Sequence, residues 1–151
     1  MRYSTFFIFV LLTLTSFLHV DGRPPGENKY VKFSIAMKQR ELKAGAKGLL
    51  LIELKPQAGI HINLEPPIDL TVEDSSLVRL SEKLTVSKIK KDTSEYLDPS
   101  KPIKQSFTVS KHAKPGVARL AGILTYYYCS DADGWCSRFK QPIDMKINVI
   151  K

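Results

Sequence analysis

The chain has 151 residues, 43% hydrophobic and 25% charged, with a formal net charge of +8. That balance excludes a disordered chain and is enough for one domain with its own core. The basic excess suits an anionic membrane surface or an acidic partner, but no basic helix or aromatic platform points to nucleic acid.

Met1 and Arg2 precede a short apolar run, 6–18, followed by His19, Val20, Asp21 and Gly22. A basic start, an apolar stretch and small residues near a cut predict a signal peptide over 1–22, cleaved after Gly22. The run is shorter than the roughly 20 residues a spanning helix needs. No later segment is long or apolar enough, so no transmembrane segment is expected in the mature chain. Export, to a periplasm or otherwise by secretion, places the domain where disulfides persist. Residues 23–29, with Pro24, Pro25 and Gly26, read as a flexible lead-in to a single domain over 30–151.

Residues 30–38 alternate, with Val31, Phe33, Ile35 and Met37 on one face and Lys32, Ser34, Ala36 and Lys38 on the other. This period of two predicts a strand. Residues 41–48 read as a turn and 49–54 as a buried strand. Residues 60–64 alternate again, His61 and Asn63 standing opposite Ile60, Ile62 and Leu64, until Glu65, Pro66 and Pro67 break the run. Further strands are expected over 68–72, 78–80, 84–89 and 103–109, with a polar loop over 90–101. No window shows a helical period. A series of short strands separated by turns predicts an all-β, immunoglobulin-like antiparallel sandwich.

The last part of the chain concentrates the chemistry. Residues 117–128 are apolar and β-rich, and in 143–149 Ile143, Met145, Ile147 and Val149 alternate with Asp144, Lys146 and Asn148. Between these two strands lie the only cysteines, Cys129 and Cys136, at the stems of a predicted hairpin. Adjacent strands hold Cα atoms about 4.5–5.5 Å apart, within the disulfide range of about 4.4–6.8 Å. In an oxidising compartment two cysteines are most simply a pair.

Two roles fit such a pair. A structural bond across so short a loop contributes roughly 2–3 kcal/mol, little for a disulfide, because the hairpin stems are already paired. A redox bond gains from a turn-rich loop that exposes sulfur to a partner thiolate. Asp131 and Asp133 disfavour thiolate nearby, so the pair would act as the electrophile in exchange. Of the three tyrosines before Cys129, Tyr126 and Tyr128 are expected to point opposite to Tyr127, with Trp135 either in the core or framing a docking face.

The run Gly122-Ile-Leu-Thr-Tyr-Tyr-Tyr-Cys-Ser-Asp, then Gly134-Trp-Cys and an apolar closing strand, resembles the N-terminal periplasmic (alpha) domain of the DsbD thiol:disulfide interchange family. Gly59-Ile-His-Ile-Asn and Pro115-Gly116 add to the likeness, which covers most of the mature chain. The resemblance implies an immunoglobulin-like sandwich whose cysteine pair exchanges electrons with thioredoxin-like proteins or a membrane electron transporter. Cys129 and Cys136 carry over as the reactive pair, with Cys129 as the mixed-disulfide position. Six residues separate the cysteines here, where the family commonly has five, and His61 and Asn63 stand where it has tyrosines. The family's cap loop would fall around 93–97, with Tyr96 over the sulfurs. Trp135 and Tyr128 would flank the site. The chain ends after the sandwich, so such partners are expected as separate proteins.

Other chemistries fit less well. Asp131-Ala-Asp-Gly begins like a calcium loop, but the twelfth position is Pro142 instead of glutamate. His61 and His112 do not share a close spacing with each other or with Met37 and Met145, so no copper site is expected. No nucleophile motif of a hydrolase is present. No metal and no cofactor is assigned. Besides an oxidoreductase component, the remaining class is a non-catalytic adaptor sandwich with an inert bridge.

Overall fold

The computed structural model describes residues 26–73, 77–81, 83–89 and 95–151. The expected signal peptide, the start of the lead-in and most of the 90–101 loop's first half, Thr93 included, lie outside these residues.

The described residues form nine strands, in order β1 (Val31–Met37), β2 (Glu41–Lys43), β3 (Lys47–Pro56), β4 (Ile60–Asn63), β5 (Asp69–Val72), β6 (Val78–Leu80), β7 (Ile103–Val109), β8 (Gly116–Ser130) and β9 (Trp135–Ile150). They form two sheets. One runs β1-β3-β7-β6; the other runs β2-β9-β8-β4, with β5 also pairing β8. All pairings are antiparallel except β2 with β9. The described residues therefore form an all-β sandwich, and among them there is no helix able to cross a membrane.

The period of two places the core. Val31, Leu50, Ile52, Leu54, Ile103, Phe107 and Val109 of the first sheet pack with Ile62, Leu120, Leu124, Tyr126, Ile147 and Val149 of the second. Gln105 is the buried exception on β7, its amide donating to the carbonyl of Ser106 at 2.8 Å. Burying this apolar layer supplies the main drive for pairing the sheets.

Three sequence expectations are corrected. Residues 41–48, read as a turn, contain β2, whose Leu42 is buried. A strand of three residues with one apolar side chain has no period to read; it forms because β9 offers a parallel edge. Residues 84–89, read as a strand, make only isolated bridges, Thr85 to Lys104 and Lys88 to Leu97. Here β6 already occupies the β7 edge over residues 107–109, Ser81 N–H extends it to the Ser106 carbonyl at 3.0 Å, and residues 84–89 reach β7 through the isolated bridge of Thr85 with Lys104. The buried strand expected over 49–54 runs longer, and only alternate residues are fully buried.

The β8–β9 hairpin is the long axis of the second sheet, paired continuously from Gly116 with Val149 to Ser130 with Trp135. Tyr126 and Tyr128 are buried on its inner face, and Tyr127 faces outward, half-buried. Burial pushes the Tyr126 hydroxyl up to about 12, against the hydrogen bond it accepts from Asn28 at 3.1 Å. A raised folded value means this group's stabilisation is complete below its unfolded value near 10 and is lost as pH rises towards 12. Tyr126→Phe is therefore expected to flatten part of the fall in melting temperature between pH 10 and 12. An unchanged alkaline limb in the variant would contradict the assignment.

Candidate functional site

Cys129 of β8 and Cys136 of β9 face each other in register and form a disulfide, with Cα atoms 4.1 Å apart. So short a separation marks a pair that exchanges no backbone hydrogen bonds. The turn between them closes locally. Ser130 Oγ donates to the Asp133 carboxylate at 2.8 Å and accepts from the Asp133 N–H at 3.3 Å. Gly134 donates its N–H to the Ser130 carbonyl at 3.0 Å and takes a φ of 66°, a left-handed conformation that favours glycine.

Along β8 the odd-numbered side chains Arg119, Ile123, Thr125, Tyr127 and Cys129 share the outer face, so the disulfide lies outside the sandwich. Among the described residues its cover comes from the β4 side. β4 pairs with β8 so that His61 stands beside Cys129 and Asn63 beside Tyr127. Asn63 Nδ2 donates to Cys129 Sγ at 3.3 Å, while its Oδ1 is buried without a partner. Residues 95–97 then run along the other edge of β4: Leu64 N–H donates to the Glu95 carbonyl at 2.8 Å, and Leu97 N–H to the Ile62 carbonyl at 2.9 Å. This lays the Tyr96 ring flat on His61, centroids 3.9 Å apart and planes at 29°. His61 Nδ1 is 3.2 Å from Asp131 Oδ2, within ion-pair range but off the line of a hydrogen bond.

The consequence is asymmetry. Cys129 is 4% exposed, whereas Cys136 is exposed on β9. Both line an open cleft of about 440 Å³ with His61, Asn63, Tyr96 and Asp131.

Not every expected residue faces the sulfurs. Asp133 is taken up by the turn with Ser130. Tyr128 is turned to the inner face, one residue away from Cys129. Trp135 adjoins the cleft, but its ring packs 5.0 Å from Tyr30 and edge-on 5.7 Å from Tyr128. Together with Tyr126 and Phe139, 5.7 Å apart, these rings form an aromatic bed beneath the hairpin tip. Glu65, Glu95 and Ser130 also line the cleft and had no sequence assignment. The Ser-x-x-Asp spacing of the turn was a readable signal for Ser130; the two glutamates carried none. Among the described residues no group of three or more His, Cys, Asp or Glu side chains is arranged to hold a metal.

Comparison with protein-family models, with curated proteins and with solved structures finds no match for the chain.

Proposed function

We propose that the Cys129–Cys136 bond is a thiol–disulfide exchange site in an exported electron-transfer module of the DsbD alpha-domain kind, serving thioredoxin-like proteins or a membrane electron transporter. The observation that carries this reading is the unequal cover of the two cysteines: Cys136 is open to a visitor, and Cys129 is enclosed with an amide donor at its sulfur. A purely structural staple needs neither feature.

The chemistry follows from that asymmetry. A partner thiolate attacks Cys136 Sγ in line with the disulfide, a new S–S bond forms, and the Cys129–Cys136 bond breaks. Cys129 leaves with the electron pair as a thiolate, and Asn63 Nδ2 is already placed to donate to it. Hydrogen bonding to a charged form stabilises it. A second thiol of the partner, its proton lost to water, then attacks the partner's own sulfur in the mixed disulfide and releases Cys136 as thiolate. Two electrons have passed to the pair, the partner leaves as a disulfide, and the two thiolates take protons from water. The reverse sequence passes the electrons on. Exposure thus favours Cys136 as the mixed-disulfide position, in place of the Cys129 that the family resemblance suggested.

The reduction potential tests this. An exchanging pair should equilibrate in dithiothreitol or glutathione buffers at a potential above about −300 mV, the region below which structural bonds sit. Asn63→Ala should shift the midpoint to more negative values, because the reduced form loses a donor to its thiolate. A midpoint well below that limit would leave the chain as an adaptor sandwich with an inert bridge.

A further inference from the structure

The second sheet ends in an edge beside the exposed cysteine. β2 covers β9 only from Asn148 to Ile150. Among the described residues no strand pairs with the outer edge of β9 from Trp135 to Lys146. Backbone direction alternates along a strand, and Cys136 with Cys129 is a pair without backbone hydrogen bonds. The N–H and C=O groups of Cys136, Arg138 and Lys140 therefore point away from β8, to the open edge. Pro142 has the same parity, so its missing N–H costs the hairpin nothing. Gly26 lies against the Pro142 ring and marks where the open stretch ends. From there residues 26–30 pass along the inner side, to Tyr30 against Trp135, without a backbone hydrogen bond to β9.

The side chains of this stretch are cationic and uncompensated. Arg138 and Lys140 are exposed on the outer face with Cys136 and make no ion pair among the described residues. The acid further along that face, Asp144, is held by Arg119 at 2.8 and 3.1 Å, which keeps its carboxyl below the usual range.

Resting on the exchange reading above, we propose that β9 from Cys136 to Lys140 is a docking strand for an extended acidic segment of the partner, with the partner's reactive cysteine directly opposite Cys136. Geometry favours this over a simple collision. A strand added antiparallel to this edge makes a hydrogen-bonded pair at Cys136, with Cα atoms about 5.5 Å apart. That is the commonest spacing of a disulfide, about 5.5–6 Å. The same register sets the partner residues two and four before its cysteine opposite Arg138 and Lys140, on the same face. Carboxylates there meet both cations.

Three peptides test it: Glu-Val-Glu-Val-Cys, Lys-Val-Lys-Val-Cys, and the acidic peptide N-methylated at its central glutamate. The rate at which each opens the oxidised protein's disulfide is divided by its rate with hydroxyethyl disulfide, which removes differences in thiol reactivity. Dithiothreitol serves as a thiol that cannot dock. The acidic peptide should exceed the lysine peptide about tenfold at low ionic strength, and the advantage should shrink in high salt. N-methylation, or Arg138→Glu with Lys140→Glu, should remove it. Equal normalised rates, or an advantage that survives N-methylation or charge reversal, overturn the docking strand. Reduction by dithiothreitol with no peptide preference overturns docking and leaves exchange standing. A protein that dithiothreitol cannot reduce overturns both.

Discussion

With Cys129 replaced by serine, Cys136 is expected to hold a partner as a lasting mixed disulfide, and with Cys136 replaced by serine almost no adduct should form. Cys129→Ser leaves the exposed thiol on β9 and removes the internal thiol that would otherwise attack the adduct. Cys136→Ser leaves only a thiol that is 4% exposed, behind Asn63 and the Tyr96 segment. Access and thiolate character set the rate of exchange, so the captured amounts should differ at least about tenfold. Cells expressing each variant are quenched with acid, alkylated and run on non-reducing gels. Loss of the bond removes only about 2–3 kcal/mol, and circular dichroism checks that both variants remain folded. Adducts in Cys136→Ser alone would restore Cys129 as the attacked position and contradict the role drawn from exposure.

The largest stability effect is expected far from the sulfurs. Phe107 on β7 is fully buried and sits directly across from Gly48 on β3. Its ring lies over the glycine so closely that a Cβ on Gly48 would fall 2.1 Å from Cζ. The ring fills the space that a side chain at residue 48 would need. Phe107→Ala should cost about 3–5 kcal/mol, from lost burial and an incompletely collapsed cavity. Gly48→Ala should also destabilise, because the ring must leave its place in the core. In Gly48→Ala with Phe107→Ala the new methyl enters space the ring has vacated. The pair should therefore cost less than the sum of the single changes, with a coupling of about 1 kcal/mol or more. Urea titration of all four proteins measures it. Additive losses would show that the two residues do not share that space.

Much of the fold could be read from alternation alone. The inner faces of β1, β4, β7 and β9 follow the apolar positions along 30–38, 60–64, 103–109 and 143–149. Where reading failed, the determinant lay elsewhere in the chain. Leu42 is buried only because Val149 passes beside it, and residues 84–89 were denied a strand by the place β6 had taken. The site divides in the same way. The hairpin stems brought Cys129 and Cys136 together from local signals, whereas their unequal cover depends on β4 and on residues 95–97 arriving from separate parts of the chain. No spacing reveals that the amide of Asn63 reaches a sulfur, or that Asp133 turns back to Ser130. Trp135 was ambiguous for a related reason. Being next to Cys136 in sequence puts it on the opposite face of the strand, where Tyr30 receives it.

The cysteines stand at the tip of the hairpin, seven positions apart, while the base of the same strand waits for Leu42 to meet Val149 across most of the chain. Loops of about ten residues close in roughly 10–100 ns and hairpins form in about 1–10 μs, whereas non-local pairings pay a larger entropy before any contact rewards them. Oxidation of the tip therefore needs no finished sandwich. The ring of residues 129–136 can be sealed by an oxidant while the two sheets are still assembling, and closing it asks for a motion confined to a few residues.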